Sequence, residues 1–313
     1  MQTMYSSTAP TLSPFGPLVA HPPHDTSGYE RITVNPVAPT IGAEIGGVRL
    51  GGDLDEQTMA EIGKALLDWK VLFFRDQDIS RADHRGFASR WGDLEQHPFF
   101  KYVQPGQTDV DVTTFAKDMA NVGTENNWHN DVTWDAQPSL AAVLRAVEVP
   151  PVGGDTLWAD TGAAYDTLPE DLRDRIDHLV AEHDWIHTFG KGMPEDAVEA
   201  LRSHLPAVQH PVVRVIPETG RRVLFVNIAF TQHILDVSPT ESDELLARLE
   251  LLARLYRHIS RPEFQVRLRW RPNTIAFWDN RTCQHYASSD YHPARRVMER
   301  ISIVGDRPVG VTR

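Results

Sequence analysis

The sequence predicts an α+β fold: a double-sheet jelly roll, or double-stranded β-helix, with helices packed on its outside. Three observations lead there. Short stretches that read as strands recur from Lys70 to Val304. Between them lie segments whose apolar residues repeat at helical spacing. No internal repeat and no linker divides the chain, so antiparallel strands with helices outside are expected to share one core.

Residues 1–29 are rich in Pro, Ser and Thr and lack periodicity, which predicts a flexible N-terminal tail. Residues 30–313 are expected to form a single domain, opened by Arg31-Ile32-Thr33-Val34. Leu54 to Trp69 is a predicted helix with Met59, Ile62, Ala65 and Leu66 in one stripe, and Lys70 to Phe74 is a buried strand. Ser80 to Trp91 is a second helix, with Ser80 as N-cap and Gly92 just past its end. Ala141–Val147 and Thr156–Trp158 are predicted strands, and Leu168 to Ala181 is a helix opened by Pro169. Thr188 to Asp196 breaks the pattern with Gly, Pro and charge and reads as a surface loop. Strands follow at Val212–Ile216 and Val223–Val226. A helix is expected from Pro239 to His258, with Leu245, Leu249, Leu252 and Leu255 along one side. Gln265–Trp270, Thr274–Trp278 and Ala294–Val304 complete the strands.

Composition fits an ordinary globular enzyme, with 41% hydrophobic and 24% charged residues. The 313 residues allow a sizeable core. A formal net charge of -12 argues against general nucleic-acid affinity, although an anionic small molecule would respond to local arginines instead. The single cysteine, Cys283, excludes an intramolecular disulfide and agrees with a reducing cytoplasm. The N-terminal stretch contains no secretory signal and the chain no apolar run long enough for a membrane span, so a cytoplasmic protein is expected. A homo-oligomer is expected as well.

The chemistry centres on His129 and Asp131, two residues apart in Asn126-Asn127-Trp128-His129-Asn130-Asp131-Val132. In an extended strand such residues point to the same face, where an imidazole and a carboxylate can share one metal ion. His285, in Gln284-His285-Tyr286, is the candidate third ligand from a distant strand. Two imidazoles and one carboxylate, with open positions opposite, suit an oxygen-activating non-haem Fe(II) centre. His-x-Asp alone recurs by chance. Beyond His285, however, Arg296, Met298, Arg300 and Ser302 share one face of a strand, and Val297, Glu299, Ile301 and Ile303 share the other. Two arginines thus point the same way, and a guanidinium fork suits the far carboxylate of a keto-acid cosubstrate.

At this point the chain resembles the taurine dioxygenase and 2,4-dichlorophenoxyacetate dioxygenase family of Fe(II)/2-oxoglutarate oxygenases. The resemblance runs from about Ile41 to about Val309 and rests on several blocks in order. These are Ile41-Gly42-Ala43-Glu44, Lys70-Val71-Leu72-Phe73-Phe74-Arg75, Trp128-His129-Asn130-Asp131, Gly153-Gly154-Asp155-Thr156, Phe277-Trp278-Asp279-Asn280-Arg281, Gln284-His285-Tyr286 and Arg296-Val297-Met298-Glu299-Arg300. It implies a cupin-like jelly roll that uses Fe(II), 2-oxoglutarate and O2. It further implies that His129, Asp131 and His285 are the iron ligands, that Thr156 touches 2-oxoglutarate, and that Arg296 pairs with its distal carboxylate. Arg300 and His97 match residues that hold the substrate's anionic group. The segment Thr188 to Asp196 matches a region that closes over substrate.

The resemblance is weakest at the substrate. Positions that place a small substrate in taurine dioxygenase fall on Phe100 and Glu125, which lack the matching groups. Phe99, Phe100, Trp134, Phe189 and Phe230 form a candidate apolar lining. An anion with more apolar bulk than taurine is therefore expected: a sulfonate, a sulfate ester or a carboxylate, oxidised at an unactivated C–H bond with release of succinate and CO2. Desaturation or epoxidation of a carboxylic acid in a natural-product pathway is the alternative. Two rivals from other classes are a zinc hydrolase on the same three ligands and a non-catalytic binding protein on the same fold.

Overall fold

The computed structural model describes residues 26–97, 111–121, 126–235 and 241–312, and only the backbone of 241–249. In chain order the elements begin with β1 (Thr33–Pro36), β2 (Ala43–Gly46), α1 (Glu56–Trp69), β3 (Val71–Phe74), α2 (Arg81–Ser89) and β4 (Thr113–Lys117). Then come β5 (Ala141–Glu148), β6 (Thr156–Asp160), α3 (Thr161–Asp166), α4 (Glu170–Ile176) and β7 (Val180–His183). A π-helical turn (Ile186–Gly190), α5 (Glu195–His204), β8 (Val208–Pro211), β9 (Val213–Val215), β10 (Arg222–Leu224) and β11 (Thr231–Ile234) follow. The chain ends with α6 (Glu241–Ile259), β12 (Gln265–Leu268), β13 (Ile275–Asp279), β14 (Cys283–Ala287) and β15 (Arg296–Ile303).

Seven strands form the main sheet, in the order β1-β2-β3-β13-β5-β15-β4. β2 and β3 run parallel, and the other neighbours in this sheet are antiparallel. Its central strands read as nearly unbroken apolar runs because both faces are covered. On one face, Leu72, Phe74, Val143, Ile275, Phe277, Ile301 and Ile303 pack on the apolar stripe of α1 and on Phe87 of α2. On the other, Val71, Phe73, Leu144, Trp278 and Met298 meet Trp158, Val266, Leu268 and Cys283 of a second sheet, ordered β12-β6-β14. That sheet is backed by α3, α4 and α6 through Ala163, Leu172, Leu252 and Leu255. Two smaller sheets, β11-β7-β8 and β10-β9, complete the strands. The architecture is α+β, as expected.

Local signals account for much of this. Asp55 caps α1 by accepting from the Thr58 N–H, and the expected stripe of Met59, Ile62, Ala65 and Leu66 is buried. Ser80 and Asp83 form a reciprocal capping box at the start of α2, and Gly92 lies just beyond its end at φ +145°. Tyr29, the last residue of the expected tail, donates its hydroxyl to Asp68 at 3.0 Å.

Two expectations are corrected. The helix from Leu168 stops at Ile176, because Val180–His183 pairs between β8 and β11 as a strand. Tertiary pairing there overrides a continuing helical pattern. The loop from Thr188 to Asp196 is instead part π-helical turn and part α5, whose start is set by Pro194 followed by Glu195 and Asp196. The expected helix over Pro239 to His258 runs Glu241–Ile259, and Pro239 lies outside the described residues. Several short strands carry no usable pattern, notably β4, β7, β8 and β11.

The capping box supplies a stability test. Ser80→Ala is expected to cost about 1 kcal/mol, whereas Ser80→Gly costs only a few tenths. Urea denaturation of the two variants and the wild type measures this; wild-type stability in both variants would mean that the hydroxyl contributes nothing at this end of α2.

Candidate metal centre and adjoining cavities

His285 lies on β14, directly opposite Trp158 of β6. The turn carrying the other two candidates is fastened to it by main chain. The N–H of His129 donates to the carbonyl of His285 at 3.0 Å, and that of His285 returns the bond at 2.8 Å. This is one isolated bridge, not the strand expected around His129 and Asp131; the chain turns at Asp131 and Val132 takes φ +59°. Side-chain amides fix the turn instead. Asn280 accepts from the Asp131 N–H at 2.7 Å and donates to the carbonyls of Asp131 and Ser139, both at 2.9 Å. Asn130 donates to the carbonyls of Asn280 at 2.7 Å and Cys283 at 2.9 Å.

The result brings the three sequence candidates together. One ligand atom from each of His129, Asp131 and His285 lies within 4.8 Å of the others. Nε2 of His129 is 3.9 Å from Oδ1 of Asp131, and Nε2 of His285 is 3.8 Å from Oδ2. The donor set fits a divalent metal in four ways. Nδ1 of His129 is 2.8 Å from the Asn127 carbonyl, which can only accept, so Nδ1 carries the proton and Nε2 keeps its lone pair. Burial pushes His285 down to about 3, so it is a neutral imidazole at ordinary pH. Burial is the largest single influence on Asp131 and works against its charge, but the Arg300 guanidinium and the surrounding imidazoles of His285, His129 and His97 together hold the carboxyl well below the usual range. Finally, Oδ2 of Asp131 is buried without a hydrogen-bond partner among the described residues.

Two cavities meet at these ligands. The larger, about 380 Å3, is lined by His97, Phe115, Trp134, Phe189, Phe230 and Arg300, among others. Its aromatic walls touch one another: ring centroids are 6.3 Å apart for His97 and Phe189, and 5.9 Å for Phe189 and Phe230. Burial, with help from Arg300, lowers His97 to about 4 and keeps it neutral. The smaller cavity, about 70 Å3, is lined by Thr156, His285, Arg296, Met298 and Arg300. Arg296, Met298 and Arg300 therefore share one face of β15, as expected. Gly154 explains part of its sequence block. It sits at φ +70°, and a Cβ there would come within 3.3 Å of Arg296 Cδ and 3.2 Å of Tyr291.

Of the remaining sequence candidates, Phe99, Phe100 and Glu125 lie outside the described residues. Cys283 is buried in the core between the sheets, its Sγ 3.3 Å from the Asp279 carbonyl, and is not part of the ligand group. Sequence reasoning missed Phe115 and Lys117 of β4, which line both cavities, because no clear alternation announces that strand. It also missed the role of Asn280, although the residue stood in a quoted block. Arg300 was assigned to substrate alone, whereas its Nη1 also donates to Oδ1 of Asp131 at 2.8 Å.

A family model described as taurine catabolism dioxygenase TauD, TfdA family matches residues 33–302. The chain is 38% identical to the alpha-ketoglutarate-dependent sulfate ester dioxygenase of Pseudomonas putida, over 90% of this chain and 92% of that one. It is 36% identical to an alkylsulfatase of Acinetobacter baylyi, over 86% and 84% of the respective chains. The crystal structure of a taurine dioxygenase from Burkholderia xenovorans superposes with a TM-score of 0.74 at 35% identity, covering 90% of this chain and 93% of that one. The chain belongs to the TauD/TfdA family of dioxygenases. It is an oxidoreductase, and Fe(II), 2-oxoglutarate and O2 are the metal and cosubstrates of its class. No helix among the described residues is long and apolar enough to cross a membrane.

Asn280→Ala tests the clamp. It would strand one N–H and two carbonyls in a buried site, at about 1–3 kcal/mol for each group that finds no new partner. The expected outcome is a lower denaturation midpoint and weaker Co(II) binding by visible absorbance. Asp131→Ala should lose Co(II) binding although the Asn280 clamp on the main chain remains; intact Co(II) affinity in that variant would remove Asp131 from the ligand set.

Proposed function

We propose that this dioxygenase oxidises the carbon bearing the ester oxygen of a sulfate ester with an apolar organic body. The observation that carries the reading is a partly buried arginine, Arg300, set beside the ligand group in a roomy cavity with aromatic walls. An anionic head would meet Arg300, and His97 would be a neutral neighbour able to donate a hydrogen bond. Phe189, Phe230 and Trp134 would take the apolar body. The sulfate ester and alkylsulfatase relatives favour sulfate over carboxylate as the head group.

In this reading His129, Asp131 and His285 hold Fe(II), and Thr156 and Arg296 hold 2-oxoglutarate in the smaller cavity. The bound metal with its keto acid supplies the oxidising power that replaces C–H by C–OH, with succinate and CO2 as coproducts. The chain's own residues orient the partners. Arg296 would pair with the distal carboxylate, and the walls around Thr156, Trp278 and Met298 would exclude water. Hydroxylation at the carbon bearing the ester oxygen yields a 1-hydroxyalkyl sulfate. Its C–O bond to sulfate then breaks, the electron pair leaves with sulfate, and the hydroxyl proton is lost as the aldehyde forms. A zinc hydrolase would give no work to Arg296 or to the cavity it lines.

We also infer that the main sheet and the β12-β6-β14 sheet are the two halves of a double-stranded β-helix, and that residues 30–313 form one domain. The shared core of Trp158, Trp278 and Met298 between the sheets supports both.

A substrate screen scored by succinate and inorganic sulfate tests the function. Alkyl sulfates are expected to give both products in equal amounts, and taurine to give little succinate. Preferred turnover of taurine or of an aryloxy carboxylate, with no sulfate from any ester, would sink the sulfate ester reading. The cosubstrate role has its own test. Arg296→Ala should weaken 2-oxoglutarate binding by about 2–4 kcal/mol, roughly 30-fold to a thousandfold. Arg296→Lys should recover only part of this, because an ammonium lacks the planar fork. Unchanged affinity in Arg296→Ala would place the anchor elsewhere.

A further inference from the structure

Arg300 stands where the two cavities meet and lines both. Its Nη1 is committed to Oδ1 of Asp131 at 2.8 Å, while its Nε, also buried, has no hydrogen-bond partner among the described residues. Asp131 is divided in the same way. Oδ1 belongs to Arg300, and Oδ2 faces Nε2 of His285 at 3.8 Å. The two side chains are 12% and 7% exposed, so their charges are weakly screened. A guanidinium carries five N–H donors in a rigid plane, so holding one carboxylate oxygen leaves donors for a second anion.

We propose that the Asp131–Arg300 pair links the two binding events: an anionic head on Arg300 tightens metal binding through Asp131, and the bound metal tightens the anion. This rests on the reading above that Arg300 receives the substrate's head group. The sign follows from charge. The guanidinium competes with a divalent cation for the Asp131 carboxylate. An anion on another edge of the guanidinium compensates that positive charge and leaves Asp131 a better donor to the metal. Linkage then requires the reverse effect to be equally large. Arg300 is thereby also a positioning residue. By holding Oδ1, it keeps Oδ2 turned toward the His285 imidazole.

The test uses Mn(II) binding to the metal-free, full-length protein, followed by electron paramagnetic resonance without 2-oxoglutarate. Titrations are run in sulfate and in chloride at equal ionic strength and one pH, with a protein-free blank for Mn(II)–sulfate pairing. Calorimetry measures sulfate binding to the metal-free protein separately. In the wild type, sulfate is expected to tighten Mn(II) binding by about fivefold or more, the lower end of usual coupling between sites. Arg300→Gln keeps a neutral donor near Asp131, and its Mn(II) affinity is expected to be the same in both salts. Arg300→Lys keeps the charge without the fork and should show a reduced effect; if Arg300→Gln does not fold, the comparison with Arg300→Lys decides. If sulfate and Mn(II) both bind the wild type but each ignores the other, the coupling is overturned and the substrate reading stands. If sulfate does not bind the metal-free protein, the anion-site reading falls and takes the coupling with it. An equal sulfate effect in wild type and in the variants would assign it to the general field of an anion near a metal, and would also overturn the role of Arg300.

Discussion

The site depends on the reciprocal hydrogen bonds between His129 and His285, reinforced by the amide of Asn280. Packing alone does not place a turn against a strand to within a few tenths of an ångström; directional bonds do. Each contributes only about 1 kcal/mol net, but leaving one buried partner unmade costs about as much again or more. The network is therefore close to all-or-none. It also has strain to offset, since Val132 is β-branched and sits at φ +59°, a conformation that costs on the order of 1–3 kcal/mol. Asn280 on one side of the turn and the buried Val132 side chain on the other hold it there.

How much of this could be read in the sequence varies with how local its cause is. The α1 stripe, the Ser80 cap and the split faces of β15 were legible, because each follows from period or from a capping side chain within a few residues. His129, Asp131 and His285 were legible as a set, but for a reason that did not hold. His285 does come from a strand, β14, but His129 and Asp131 reach it through one bridge and two asparagines, not from a strand of their own. That cause was hidden because Asn130 and Asn280 resemble ordinary turn residues until their partners are known. β7 was hidden by its neighbours, since Val180-Ala181 continues the apolar spacing of α4 and only pairing with β8 and β11 makes it a strand.

Charge shows the same contrast between the global and the local. The chain is acidic overall, yet Arg300 and Lys117 line both cavities and Arg296 the smaller. Net charge governs solubility and long-range steering, while affinity for a small anion is set by cations within a few ångströms in a poorly screened site. Arg300 in particular has its guanidinium over the Phe115 ring, with the guanidinium carbon 5.0 Å from the ring centroid, which limits its freedom to swing away.

β15 carries the heaviest burden for its length. Its inward face presents Arg296 and Arg300, and its outward face presents Glu299, which pairs with Arg81 and Arg145. The irregularity in its pairing with β5, between Val297 and Met298, lies between the two arginines and leaves Val147 unpaired on the neighbouring strand. A strand of period two turns every side chain over when it slips by one residue. Here such a slip would bring a carboxylate into a cavity built for anions and bury two guanidinium groups against helices. Diversification of this enzyme's lineage is thus channelled: the aromatic wall of Phe189 and Phe230 can change residue by residue to fit new substrates, whereas a single-codon insertion or deletion within β15 reverses the sign of the site at once.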